Sequence, residues 1–200
     1  MTNWLNEIIL DGKLIKLIPL QKSHKDLLLE SASDGELWNL WFTSVPSEKT
    51  INKYLDFALS EKENQRALPF VVIDKISNKL IGTTRFCNAF KENRRLEIGY
   101  TWYSKSYQKT GVNTECKYLL LSHAFETLNC IAVEFRTHWH NFNSRNAILR
   151  IGAKQDGVLR NHLIRTDGII RDTVVFSIIE NEWTAVKRNL EFMMNRTKDY

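Results

Sequence analysis

The 200-residue chain has only three cysteines, Cys87, Cys116 and Cys130, and no Cys-x-x-Cys spacing. An odd number of thiols without that spacing indicates neither a disulfide framework nor a zinc site, and reduced thiols in a cytoplasmic protein are expected. With three prolines and eight glycines there is no Pro- or Gly-rich linker. No repeat or low-complexity segment interrupts the chain, and residues 1–200 are read as one domain. No apolar run approaches the roughly 20 residues of a membrane span. Residues 1–7 lack a basic segment followed by an apolar one, so neither export nor a membrane partner is expected.

Lys and Arg exceed Asp and Glu to give a net charge of +5 and a pI near 9.1, yet the cations are scattered. No basic run interleaves with aromatics, so direct nucleic-acid binding is not expected, and a small phosphate-bearing ligand accounts for the excess equally well. His138 and His140 share a parity on one predicted strand. No third ligand stands at a suitable spacing, and no metal is expected.

At 43% apolar and 26% charged residues, the chain has the composition of a globular domain with a sizeable core. Its most informative stretch is 97–128. Residues 96–103 are β-branched and aromatic enough for a strand, and residues 104–111 form a polar loop. Val112, Cys116, Leu119, Leu120, Ala124, Phe125 and Leu128 then recur with the spacing of one helical face. The start of such a helix offers unpaired backbone N–H groups and a positive dipole end, a site for phosphate oxygens, although a plain connection would look the same.

Around this stretch the pattern predicts a strand at 12–20, helices at 23–32 and 50–63, and a hairpin of strands 68–74 and 79–87. A strand beginning near Arg95 extends the antiparallel meander, and residues 131–139 alternate as a half-buried strand. The helix between those last two makes them a parallel, right-handed βαβ pair. A ligand then belongs beyond their C-terminal ends, beside the Gln108 loop. Asn141 to Ala153 reads as a helix capped by Asn or Ser and stopped by Gly152. A hairpin of 155–164 and 171–179 follows, turned at Arg165-Thr166-Asp167-Gly168, and then a helix at 181–194.

Gln108-x-x-Gly111-x-Asn113 resembles the (Gln/Arg)-x-x-Gly-x-(Gly/Ala) signature of the GNAT superfamily of acetyl-CoA-dependent N-acetyltransferases. Asn113 departs from the usual small residue, and Thr110 from the usual Arg or Lys. Asn141, Ser144, Ala147, Gly152 and Ala153 resemble a second GNAT motif, Asn-x-x-(Ser/Ala)-x-x-(Ala/Leu)…Gly-(Phe/Ala). Ile148 stands where many members carry a tyrosine acid, which excludes that acid here. The RimJ and RimL ribosomal-protein N-acetyltransferases also lack it and have Ser at the Ser144 position, so the resemblance is to that branch.

The resemblance implies an α+β, GNAT-like fold. Its central sheet is mixed and mostly antiparallel, of about seven strands flanked by helices, with one parallel βαβ pair forming the coenzyme A cleft. It also implies acetyl-CoA as co-substrate, with Trp102, Tyr103, Gln108, Lys109, Thr110, Gly111, Val112, Asn113 and Thr114 at the coenzyme. Asn141 and Ser144 would face the pantetheine arm and its sulfur, where the Ser144 hydroxyl can serve the leaving thiolate. Trp38, Trp41 and Phe42 are a core cluster by composition; the resemblance places at least one of them at the acceptor pocket. A backbone N–H near Trp102 or Tyr103 is the implied oxyanion donor.

Two residues compete as general base. Glu97 precedes Gln108 by eleven positions, the offset of the catalytic glutamate in the histone-acetyltransferase branch. Its other reading is an ion pair with Arg94 or Arg95. His162 offers the side-chain type that exchanges protons near neutral pH. An α-amino group, with a pKa of about 7.7–8.0, is far more often neutral at pH 7 than a lysine-like amine near 10.4, which favours a protein or peptide N-terminus as acceptor. A small amine is the alternative acceptor, and a non-catalytic coenzyme-binding module the alternative activity. Monomer and homodimer both remain open.

Overall fold

The computed structural model describes residues 4–165 and 167–196. A short strand β1 (Leu10–Asp11) turns into β2 (Ile15–Pro19), and α1 (Lys25–Ser33) and α2 (Ile51–Glu63) follow. Strands β3 (Leu68–Asp74), β4 (Leu80–Phe90) and β5 (Arg95–Tyr103) form the meander. Helix α3 (Val112–Ser122), extended by a π turn over His123–Thr127, crosses to β6 (Ala132–His138). Helix α4 (Phe142–Arg150), the hairpin β7 (Lys154–Ile164) and β8 (Ile170–Ile179), and α5 (Glu180–Asn195) complete the chain. Residues 1–3 of the N-terminal segment and Thr166 of the predicted turn lie outside the described residues. The turn is nonetheless defined by Gly168, which has φ +82° and donates its N–H to the Arg165 carbonyl at 2.9 Å.

The strands make one eight-stranded sheet in the order β1-β2-β3-β4-β5-β6-β8-β7. The sequence predicts about seven strands; the additional one is β1, whose two residues pair with Lys16 and Leu17 and are too few to show a period. Every neighbouring pair is antiparallel except β5 and β6. These two are in parallel register only at Arg95–Ala132, Leu96–Val133 and Glu97–Glu134. Both then continue, to Tyr103 and His138, without pairing, so a gap opens between them above Glu97 and Glu134.

Alternation along β5 assigns the two faces. Leu96, Ile98 and Tyr103 join the core beneath α3 and α5, with Cys116, Leu120 and Leu190. Trp102 joins the core under α1 and α2, with Leu28 and Leu55. Between them the period slips: Arg85 faces Gly99 and Thr83 faces Trp102, so Tyr100 and Thr101 together oppose Thr84. This is a β-bulge, and Tyr100 carries it at φ +51°. Gly82 makes room for the neighbouring strand, since a Cβ there would stand 2.1 Å from the Trp102 carbonyl oxygen.

Candidate active site

The site is built around the gap between β5 and β6. At its mouth lies the loop from Ser104 to α3. Lys109 makes the turn with φ +60°, whereas Gly111 has an ordinary φ of −70°. Gly111 is favoured by space rather than by handedness: a Cβ would stand 3.0 Å from Leu14 Cδ1, the tip of an exposed side chain that would have to give slightly. The Thr110 hydroxyl donates to the Tyr107 carbonyl at 2.8 Å, and Gln108 Nε2 donates to the Tyr103 carbonyl at 3.0 Å. The N–H groups of Gly111, Asn113 and Thr114 have no acceptor among the described residues, as expected at a helix start.

Both departures from the family signature are accommodated inside the protein. Asn113 Oδ1 accepts from the Tyr103 hydroxyl at 3.3 Å, which turns the amide inward, and Thr110 is held by Tyr107. Thr114 is buried and accepts from Arg150 Nη1 of α4 at 3.2 Å, tying the two helices together at the gap. Buried Glu115 accepts the N–H groups of Lys13, Leu14 and Ile15 at 2.7, 2.8 and 2.9 Å. It fixes the β1–β2 turn, and with it Leu14, against the loop.

On the α1/α2 face, Glu97 is buried at the last paired rung. Its Oε2 accepts from Asn88 Nδ2 at 2.8 Å and stands 3.6 Å from Arg136 Nε. Burial raises its pKa, and Asn88 and Arg136 oppose the shift without cancelling it. The ion pair with Arg94 or Arg95 does not form: Arg95 instead binds Glu134 at 2.6 Å, and Arg136 bridges Glu134 and Glu97. His162 lies on β7, three strand spacings of ~4.8 Å from β5 in the sheet order. Its Nδ1 is 3.1 Å from the Thr173 hydroxyl oxygen.

Trp38 packs against the α1/α2 core. Trp41 is exposed and meets His138 edge-on, with ring centroids 4.9 Å apart, and Phe42 stands beside both. These two aromatics overhang the open end of β6. His138 is the last residue of β6, but His140 lies beyond it in the turn, because its N–H donates to His138 Nδ1 at 3.1 Å and closes the chain back. The expectation that both project from one strand is corrected accordingly. Among the described residues no three His, Cys, Asp or Glu side chains cluster as a metal site.

Asn141 caps α4, its Oδ1 accepting the Ser144 N–H at 3.1 Å. The half-buried Ser144 hydroxyl has no protein partner among the described residues. Ile148 is buried.

Sequence reasoning missed Lys117, one position from the apolar stripe of α3. It is buried, and its Nζ donates to Thr101 Oγ1 at 2.8 Å and lies 6.0 Å from the Phe135 ring centroid. Thr101 and Phe135 sit on β5 and β6 past the last rung, so the amine occupies the gap from the α3 side. Burial lowers its pKa. Such a group can donate to a carbonyl oxygen in the gap. A lysine beside an apolar stripe ordinarily reads as a solvated helix edge, and only the divergence of the strands makes this one internal.

An eight-stranded sheet with one splayed parallel pair, and a loop of free amides at the crossover helix, is an acetyltransferase architecture. The crystal structure of a GCN5-related N-acetyltransferase from Brucella melitensis superposes with a TM-score of 0.83 at 27% identity, covering 95% of this chain and 86% of that one. The Mycobacterium smegmatis RimJ structure, in complex with CoA-disulfide, shares the fold at a TM-score of 0.75 and 19% identity, covering 92% and 91%. Residues 15–154 match the family model described as Acetyltransferase (GNAT) domain, and the chain belongs to that family. A Bacillus subtilis relative, "Putative ribosomal N-acetyltransferase YdaF", is 32% identical over 108 residues, 54% of this chain and 58% of that protein. The aligned part thus spans less than two thirds of that relative.

Proposed function

We propose that the protein is an N-acetyltransferase of RimJ/RimL type that moves the acetyl group of acetyl-CoA to a primary amine, a protein or peptide N-terminus in the first instance. The observation that carries this reading is the gap above Glu97 and Glu134, with unpaired α3 amides at its mouth and a buried carboxylate at its base. Acetyl-CoA supplies an activated acyl thioester, whose thiol leaves readily.

The N–H groups of Gly111, Asn113 and Thr114 receive pyrophosphate oxygens, aided by the helix dipole. Gln108, Lys109 and Thr110 shape that loop, and Val112 anchors it in the core. The Ser104 N–H donates to the Ile81 carbonyl, so by ladder alternation the Tyr103 N–H turns away from β4 toward the gap. It serves as oxyanion donor, with the Lys117 amine on the α3 side. The Ser144 hydroxyl donates to the departing thiolate. Glu97, with its raised pKa, takes the amine proton directly or through a water. His162 is held as the second candidate base, and Trp41 and Phe42 wall the acceptor side.

The test is a panel of peptides and small amines incubated with acetyl-CoA, read by thiol release. Turnover strongest on peptide α-amines supports the reading. Turnover on small amines alone moves the acceptor to that class, and acetyl-CoA binding with no consumption across the panel leaves a coenzyme-binding module.

A further inference from the structure

Arg85 of β4 is among the most deeply buried side chains, 1% exposed, and neither Nη1 nor Nη2 has a hydrogen-bond partner among the described residues. Its guanidinium carbon lies 3.9 Å from the Tyr100 ring centroid, 5.2 Å from that of Tyr54 and 5.9 Å from that of Phe57. Aromatic faces compensate a buried cation only in part, and they take none of its in-plane N–H donors. Arg171 of β8, half-buried, has one buried nitrogen, Nε, without an acceptor among the described residues.

Both cations lie on the Glu97 face of the sheet. Arg85 faces Gly99 across the ladder, and a Cβ on Gly99 would stand 3.0 Å from Glu97 Oε1 and 3.1 Å from Cys87 Sγ, so a glycine and a small thiol lie between the two on this face. The charge of Arg171 acts on Glu97 and Tyr100. The acids nearby are already engaged, Glu134 by Arg95 and Arg136, and Glu97 by Asn88 and Arg136. The α1/α2 face beside the gap thus holds two guanidinium groups with buried N–H donors that no acceptor among the described residues takes. The rim above Arg85 is formed by Tyr100 and Phe57, both exposed in part.

We infer that the acceptor amine carries a carboxylate, received by Arg85 while its nitrogen is presented beside Glu97. The inference rests on the N-acetyltransferase reading and narrows its substrate class. A guanidinium offers a planar fork that matches a carboxylate bidentately, and a buried one discriminates strongly against an uncharged isostere. The chemistry is shared by two sources: a peptide with an acidic residue close to its N-terminus, and a free amino acid.

Matched acceptors test it. C-terminally amidated peptides with Glu or Gln at the second position form one arm, and a free amino acid against its carboxamide forms the other. In the wild-type protein the carboxylate member of at least one arm is expected to have a kcat/KM at least about tenfold higher, expressed mainly in KM. That ratio should fall to about one in Arg85→Met and be only partly kept in Arg85→Lys. The N-acetylated forms of the same pairs, titrated calorimetrically with CoA present, report the preference without turnover. A carboxylate preference in binding with no catalysis would leave the anion site standing and remove the acetyltransferase reading. Equal handling of carboxylate and carboxamide in both arms, by kinetics and by binding, would overturn the inference while leaving the acetyltransferase reading intact.

Discussion

Glu97 and Glu134 face each other across the last rung of the parallel pair, and their surroundings push their pKa values in opposite directions. Burial raises both, but Arg95 and Arg136 bind Glu134 closely enough to outweigh it, whereas Glu97 has one amide and a guanidinium at 3.6 Å. Two carboxylates at one point of the sheet thereby acquire different tasks, Glu134 organising arginines and Glu97 available for proton exchange.

Glu97→Gln keeps the acceptor for Asn88 and removes the base. Turnover at neutral pH is expected to fall by about a hundredfold or more and to recover in part at higher pH, as more amine is already neutral. A folded-state pKa above the unfolded one means that wild type loses stability as pH rises from the unfolded value through the folded one. The melting temperature of the variant should therefore gain on wild type over that window and hold its advantage above it. An unaltered pH–rate profile would remove Glu97 as base and direct attention to His162.

Lys117→Met separates stability from function. The lowered pKa means that the folded state disfavours the charged amine, a penalty fully present below the folded pKa and gone above the unfolded value near 10.4. The variant should melt higher than wild type at neutral pH, with the advantage fading in alkali. Its turnover should drop at least about tenfold if the amine stabilises a developing oxyanion. A variant that is more stable and equally active would show Lys117 to be packing alone.

Glu115→Ala leaves the N–H groups of Lys13, Leu14 and Ile15 without their acceptor. The cost is on the order of 3 kcal/mol, a loss of roughly 6–12 °C in melting temperature for a domain of this size. Gly12→Ala attacks the same joint, since its Cβ would lie 2.6 Å from Glu115 Cδ. Scanning calorimetry of both variants reads the effect, and wild-type melting in Glu115→Ala would contradict it.

Gly111→Val drives a branched side chain against Leu14. The side chain crowds the loop amides, and coenzyme affinity should weaken about tenfold or more. Melting should fall only slightly, because the loop is exposed. Unchanged CoA affinity by calorimetry would dismiss the loop as the phosphate site.

The elements legible in the sequence were those with a local code. The strand, loop and helix through residues 97–128 and the Asn141 cap are written in contiguous residues, and each lies where its period puts it. The engagements of Glu97 were not legible, because Asn88 and Arg136 come from neighbouring strands whose register is a tertiary fact. Arg85 and Lys117 were missed for a related reason. In sequence a single Arg on a strand or Lys on a helix implies solvent, and only the bulge at Tyr100 and the divergence of β5 from β6 enclose them. The extra strand β1 escaped because two residues carry no period.

The most direct measurement is mass spectrometry of a peptide acceptor with a free N-terminus, incubated with acetyl-CoA and either wild-type protein or Glu97→Gln. The expected result is one acetyl group on the peptide's α-nitrogen with wild type, matched by one equivalent of free thiol, and far less of both with the variant at neutral pH. Acetyl-CoA left intact by the wild type against peptides and small amines alike would contradict it.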